Sequence, residues 1–210
     1  TKIAAVKEYL KAMPSWILND PARTLWYTEF HEPEGNFPTD PGQFINNIYP
    51  PVWTMVQSLP ANIRAKIKFG PVLTRQFTEN KPGRVYKTYD PGPAKSDFFG
   101  VDAYMNSWQP GDTSTAATAY TDPVAFLSQI KAYQYDASDH RPRVLPELGA
   151  IGLPSDIDGV ARAGWIQGLH DELSTWTYAA QGWDMAGWIW WCAEGTGGTV
   201  GGHDIDHPSV

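Results

Sequence analysis

The order in which extended and helical segments follow one another is what most limits the fold of this chain. Short β-branched and aromatic runs at Thr24–Glu32, Ala65–Thr74, Phe98–Met105, Val144–Gly149 and Met185–Trp191 read as strands. Between them lie stretches with helical spacing. Ile3, Val6 and Leu10 mark one before the first strand. Phe44–Leu59 is a second, with an interruption expected at Pro50-Pro51. Asp122-Pro123 opens a third, with an N-cap and a first-turn proline, and Asp156–Ala180 carries a fourth. Strand and helix in alternation mean parallel strands with crossover helices. A doubly wound sheet and a (β/α)8 barrel both satisfy that order. No Gly-x-Gly-x-x-Gly stands at a strand-to-helix turn, so the dinucleotide signature is missing. Chemistry-bearing residues recur at several strand ends: Glu32, Asp102 with Tyr104, Glu147, and the tryptophans near 190. That recurrence favours the barrel, whose sites are built at the C-terminal ends of its strands.

The first of these strand ends is the most informative. In Trp26-Tyr-Thr-Glu-Phe-His-Glu-Pro-Glu-Gly-Asn-Phe37 an apolar run gives way to a polar loop at His31 and Glu32. A carboxyl walled by Trp26, Phe30 and Phe37 would be poorly hydrated. Poor hydration raises its pKa and suits it to donate a proton near neutral pH. Glu29 alternates away from Glu32 and reads as a partner for Arg23, Arg75 or a tyrosine. The second strand end is Pro146-Glu-Leu-Gly149, which puts Glu147 on a nearly continuous apolar strand. Two carboxyls facing each other across a barrel mouth are what glycoside hydrolysis needs.

Composition narrows the partners. A net charge of −7 argues against nucleic acid and anionic membranes. Ten Trp and ten Tyr supply flat surfaces on which sugars stack. Cys192 is the only cysteine, so an internal disulfide cannot form, and no histidine lies beside it in sequence to activate the thiol. No run of 18 apolar residues exists to span a bilayer. His203-Asp-Ile-Asp-His207 has metal-ligand residue types, but its Gly-rich tail offers no helix or strand to fix them, so no metal or cofactor is expected. Asp136, Asp139 and His140 follow a helix end and read as a cap and a turn.

His31-Glu32-Pro33-Glu34-Gly35-Asn36-Phe37 resembles the acid/base segment of clan A glycoside hydrolases, which are retaining (β/α)8 barrels. Most of that clan has Asn-Glu-Pro there. A His before the Glu is similar to family 26, which includes β-mannanases and some lichenases and xylanases. The family segment reads His-Glu-x-x-Gly-x-Trp, and Phe37 holds the last position here.

The resemblance implies a retaining endo-β-glycanase, with β-mannan first among its β-1,4-linked substrates. It makes Glu32 the acid/base on strand four and Glu147 the nucleophile on strand seven. It makes Tyr104 the residue that orients the nucleophile and Asp102 a support for the −1 sugar site. His31 and Phe37 join the substrate site, with Trp188, Trp190 or Trp191 as the platform below the sugar. Glu34 and Phe37 depart from the usual mannanase loop. The whole of 1–210 is then one catalytic domain supplying strands four to eight. Only 23 residues precede Thr24, too few for three βα units of roughly 30 residues each. The expectation is that an N-terminal segment completes the barrel and covers apolar edges at Thr24–Glu32 and Met185–Trp191. The resemblance also implies an extracellular location, although this chain carries no signal peptide. The competing reading is a carbohydrate-binding or structural barrel without catalysis.

Overall fold

The computed structural model describes residues 2–74, 88–105, 120–134, 139–150, 156, 158–175 and 184–190. Its strands are β1 (Leu25–Tyr27), β2 (Ile67–Phe69), β3 (Val72–Thr74), β4 (Phe99–Met105), β5 (Pro142–Ala150) and β6 (Asp184–Trp190). Every pairing is parallel: β1 with β2, and β3-β4-β5-β6 in sequence order. The helices are α1 (Lys2–Lys11), α2 (Ser15–Leu18), α3 (Pro33–Asn36), α4 (Tyr49–Gln57), α5 (Ala61–Arg64), α6 (Pro123–Gln134) and α7 (Val160–Thr175). Parallel strands in chain order, with helices between them, form part of a (β/α)8 barrel.

Three strand expectations need correction in detail. The run Ala65–Thr74 is broken into β2 and β3 at Gly70-Pro71. A Cβ on Gly70 would lie 2.3 Å from the Phe98 carbonyl oxygen, so only glycine allows this crossing. Pro71 removes a donor at the same point. The run Thr24–Glu32 pairs only over Leu25–Tyr27, because Phe30 (φ 83°) and Glu32 (φ 51°) turn left-handed and take the backbone out of the sheet. Pairing is resumed once, where the Glu32 N–H donates to the Val72 carbonyl at 3.0 Å. The strand around Glu147 is longer than expected and runs on to Ala150.

Among the helices, Pro50-Pro51 does not interrupt anything. A π-helical turn at Gln43–Ile48 leads directly into α4, and both prolines occupy its first turn, where no intrahelical N–H is needed. Asp122 behaves as expected, accepting from the Ala125 N–H at the start of α6. Asp156 accepts from the Ala161 and Arg162 N–H groups as α7 begins. Residues 176–180, expected to be helical, lie outside the described residues.

The two faces of the strands differ. Ile67, Phe69, Val101, Ala103, Leu145, Leu148 and Ala150 pack against Leu10, Val52, Val56, Phe126 and Leu169 of the helices. On the other face Val72, Phe98 and Val144 form a small cluster. That cluster floors an open cleft of about 320 Å³, flanked by Trp26 and Ile189. Ile189 is 61% exposed and Trp26 38%, large apolar areas to leave in water. Among the described residues, β1 pairs only with β2 and β6 only with β5, so both ends of the row are open edges. No helix of the described residues is long and apolar enough to cross a membrane.

Candidate active site

Glu147 reaches the site because β5 is bulged. Gly100 pairs with Val144, but Ala103 pairs with Leu148, so β5 holds one residue more than β4 over this interval. The pairing of β5 with β6 also shifts between Leu145 and Leu148, and once more between Arg143 and Val144. Leu145 and Leu148 both face the helix layer although they are three apart, which strict alternation forbids. The extra residue turns Glu147 away from the helices. Pro146 lacks a donor and suits the bulge, and Gly100 leaves room for it: a Cβ there would lie 3.2 Å from the Pro146 ring. Asp102 needs no such device. It alternates with Val101 and Ala103 and so falls on the inner face of β4.

His31 ties these strands to the loop after β1. Its Nε2 makes an ion-pair contact with the Asp102 carboxylate and lies 3.3 Å from Glu147 Oε1. Asp102 is 1% exposed, and its oxygens have no other hydrogen-bond donor. The Asp102 carboxylate therefore holds a proton on His31, whose pKa is pushed up to about 9. Burial pushes the Asp102 carboxyl up, and the imidazolium beside it pulls the other way. His31, Asp102 and Glu147 each offer a ligand atom, all within 4.8 Å of one another, a spacing open to a divalent cation. A protonated imidazole is no ligand, however, so the proton and a cation would compete for this position.

Glu32 stands at the same end of the row. Burial raises its carboxyl pKa; His31 opposes the rise and the charge of Glu147 adds to it. Two carboxyls thus feel each other's charge beside one imidazolium. Environments that set two carboxyls apart are how a site obtains one acid and one base. Phe37, expected in the substrate site, turns toward the interior. Its ring packs on Phe30, 5.2 Å between centroids, and against the helix-side core. Glu29 accepts from the Tyr27 hydroxyl, one of the partners its alternation suggested.

Two features went unread in the sequence. Glu34, noted only as a departure from the mannanase loop, is completely buried, and its Oε1 accepts from the Thr74 N–H and hydroxyl. At the opposite end of β5, Arg141 meets Asp90 at 2.7 Å, Asp139 at 2.6 Å and the Ser96 hydroxyl at 2.5 Å. Asp139 does accept from the Arg141 N–H, as a turn residue would, but it also binds the guanidinium. Of the remaining expected site residues, Tyr104 is on β4, in register with Gly149, and Trp188 and Trp190 are on β6. The side chains of Tyr104, Trp188 and Trp190, and the whole of Trp191, lie outside the described residues.

No family model and no curated protein matches this sequence. Solved structures do resemble its fold. GH26C, a family 26 glycoside hydrolase from Muricauda sp., aligns with TM-score 0.54 and 18% identity over 90% of this chain and 47% of its own. The catalytic domain of a family 26 endo-β-1,4-mannanase from Bacillus sp. JAMB-750 aligns with TM-score 0.53 and 13% identity, over 89% of this chain and 47% of its own. XEG5A, a family 5 xyloglucan-specific endo-β-1,4-glucanase from a metagenomic library, aligns with TM-score 0.52 and 17% identity, over 95% of this chain and 59% of its own. The chain therefore spans about half the length of the two family 26 structures. These likenesses show the fold to be that of a (β/α)8 barrel, of which this chain supplies part.

Proposed function

We propose that this chain carries the catalytic carboxyls of a retaining β-glycanase. The observation that carries the reading is the pairing of Glu32 with Glu147 at the C-terminal strand ends. Each lies within electrostatic reach of the other, and His31 stands beside Glu147. Glu32, with its raised pKa, is the acid that protonates the glycosidic oxygen. Glu147 attacks the anomeric carbon from the opposite face and forms a glycosyl ester. Glu32 then removes a proton from water as that water cleaves the ester. His31, shared between Asp102 and Glu147, helps keep Glu147 aimed.

The substrate we favour is a β-1,4-linked polysaccharide, β-mannan first. The Bacillus structure of similar fold is an endo-mannanase. The family resemblance assigns Tyr104 to the nucleophile and Trp188, Trp190 or Trp191 to the sugar floor. We further infer that three preceding βα units close the barrel over the cleft between Trp26 and Ile189. We infer an extracellular location, because such a polymer is too large to enter a cell.

Replacement of Glu147 by Gln in the full-length protein tests the assignment. It should reduce turnover of mannan, glucan or xylan by at least about a thousandfold, while oligosaccharide affinity stays within about tenfold, or 1.4 kcal/mol. Hydrolysis that survives the substitution unchanged removes Glu147 from the mechanism. A wild-type protein that binds these glycans and cleaves none is a binder instead.

A further inference from the structure

We infer that Glu34 is a positioning residue for Glu32, acting by locking the acid/base loop onto β3. The inference rests on the reading of Glu32 as the acid/base. Glu32 is left-handed at φ 51°, and Phe30 just before it at φ 83°. Such backbone is strained and persists only where the surroundings enforce it. The following helix is only four residues long and cannot do so alone. Enforcement comes from β3, at two points. The Glu32 N–H donates to the Val72 carbonyl at 3.0 Å. Two residues on, Glu34 Oε1 receives the Thr74 backbone N–H and, at 3.0 Å, the Thr74 hydroxyl. The contacts fall on Val72 and Thr74, also two apart. A carboxyl side chain therefore takes the place of the next rung of strand pairing, where the backbone has already turned away.

The environment of Glu34 is otherwise poor for a carboxyl. The residue is 0% exposed, and its Oε2 has no hydrogen-bond partner. Burial pushes its pKa to about 7 against the Thr74 contacts, and the nearby Glu32 charge pushes it the same way. Tyr89, whose hydroxyl donates to the Phe37 carbonyl at 2.6 Å, closes the other side of the loop. A buried carboxyl with one oxygen unused is costly to the fold. Holding the two left-handed residues of a catalytic loop in place is a use commensurate with that cost.

Leaving-group dependence separates positioning of an acid from mere support of the fold. A poor leaving group needs the proton from Glu32, and a dinitrophenolate does not. In the full-length protein, Glu34→Ala should lower kcat/KM for an unactivated β-1,4-oligosaccharide at least about tenfold more than for the dinitrophenyl glycoside of the same sugar. Glu34→Gln keeps the acceptor for Thr74 and should stay within about threefold of wild type on both substrates. If Glu34→Ala does not fold, Thr74→Val, which removes the hydroxyl donor, should show the same bias in smaller measure. Equal losses on both substrates, or no loss, overturn the positioning role while leaving Glu32 as the acid. A wild-type protein that cleaves neither substrate overturns both.

Discussion

At the N-terminal ends of β4 and β5 two arginines meet two aspartates, and at the C-terminal ends of the same strands one histidine meets three carboxylates. In the first cluster Arg141 and Arg143 bind Asp90 and Asp139, and both guanidinium groups stack on the Phe99 ring, 5.4 and 5.6 Å from its centroid. Cation and anion balance, although the Arg141 and Asp139 side chains are only 5% and 11% exposed. In the second, His31 contacts Asp102 and Glu147 and interacts by charge with Glu32, and buried Asp102 has His31 as its hydrogen-bond donor. Burial alone would raise the Asp139 carboxyl, but Arg141 outweighs it and holds the group well below the usual range. Burial raises the Glu32 and Asp102 carboxyls, and one imidazolium opposes it. The contrast follows what barrels require of their two ends. The N-terminal end is free to neutralise its charges and so contributes stability. The C-terminal end keeps half-buried and buried carboxyls whose proton affinity is raised, which is what the proposed acid/base work needs and what a fold would otherwise avoid.

The largest effect that sharpens this comparison is on stability. Arg141→Ala takes the shared cation from Asp90 and leaves Asp139 with Arg143 alone, and should cost about 3–5 kcal/mol in denaturant unfolding of the full-length protein. Asp102→Asn removes a charge from the end with too many carboxylates and leaves His31 its contact with Glu147. It should cost less than about half as much. Equal losses would mean that the C-terminal cluster is as structural as the other, and the distinction between the two ends would fail.

What could be read from the sequence follows the same division between local and distant causes. The order of the strands, the start of α6 at Asp122-Pro123 and the placing of Glu32, Asp102 and Glu147 at strand ends came from periodicity and turn chemistry, which are local. The partner of Glu29 was legible for the same reason, since Tyr27 lies two residues away. The bulge at Pro146-Glu147 was not, because it is a count of residues against β4, some 40 positions earlier in the chain, as the Gly100–Val144 and Ala103–Leu148 pairs show. The hold of Arg141 on Asp90 spans 51 residues, and that of Thr74 on Glu34 spans 40. Nothing in the local pattern selects these partners. Phe37 was legible as an aromatic beside the site, but not as one turned into the core, because that depends on Phe30 having left the strand.

The two clusters should also fail on opposite sides of the pH scale, and this is the smallest effect expected. His31 has its pKa raised to about 9 by Asp102, against an unfolded value of about 6.5. Its contribution to stability is therefore complete below about pH 6.5 and is lost as pH rises through about 9. Asp139 is displaced in the other sense. Its contribution is complete above the ordinary value of 3.8 and is lost as pH falls through the lower native value. The His31 side chain is 41% exposed, so water screens the pair and the alkaline loss should stay below about 1 kcal/mol. The measurement is the difference in unfolding free energy between wild type and each variant as pH is varied. The wild-type advantage over Asp102→Asn should shrink between pH 6.5 and 9. The advantage over Arg141→Ala should be flat there and shrink below about pH 4. Ring-proton NMR locates the cause: His31 should titrate near 9 in the wild type and fall toward about 6.5 in Asp102→Asn. A His31 that titrates near 6.5 in the wild type would show that Asp102 does not hold its proton. The C-terminal cluster would then lack the His31 cation at neutral pH.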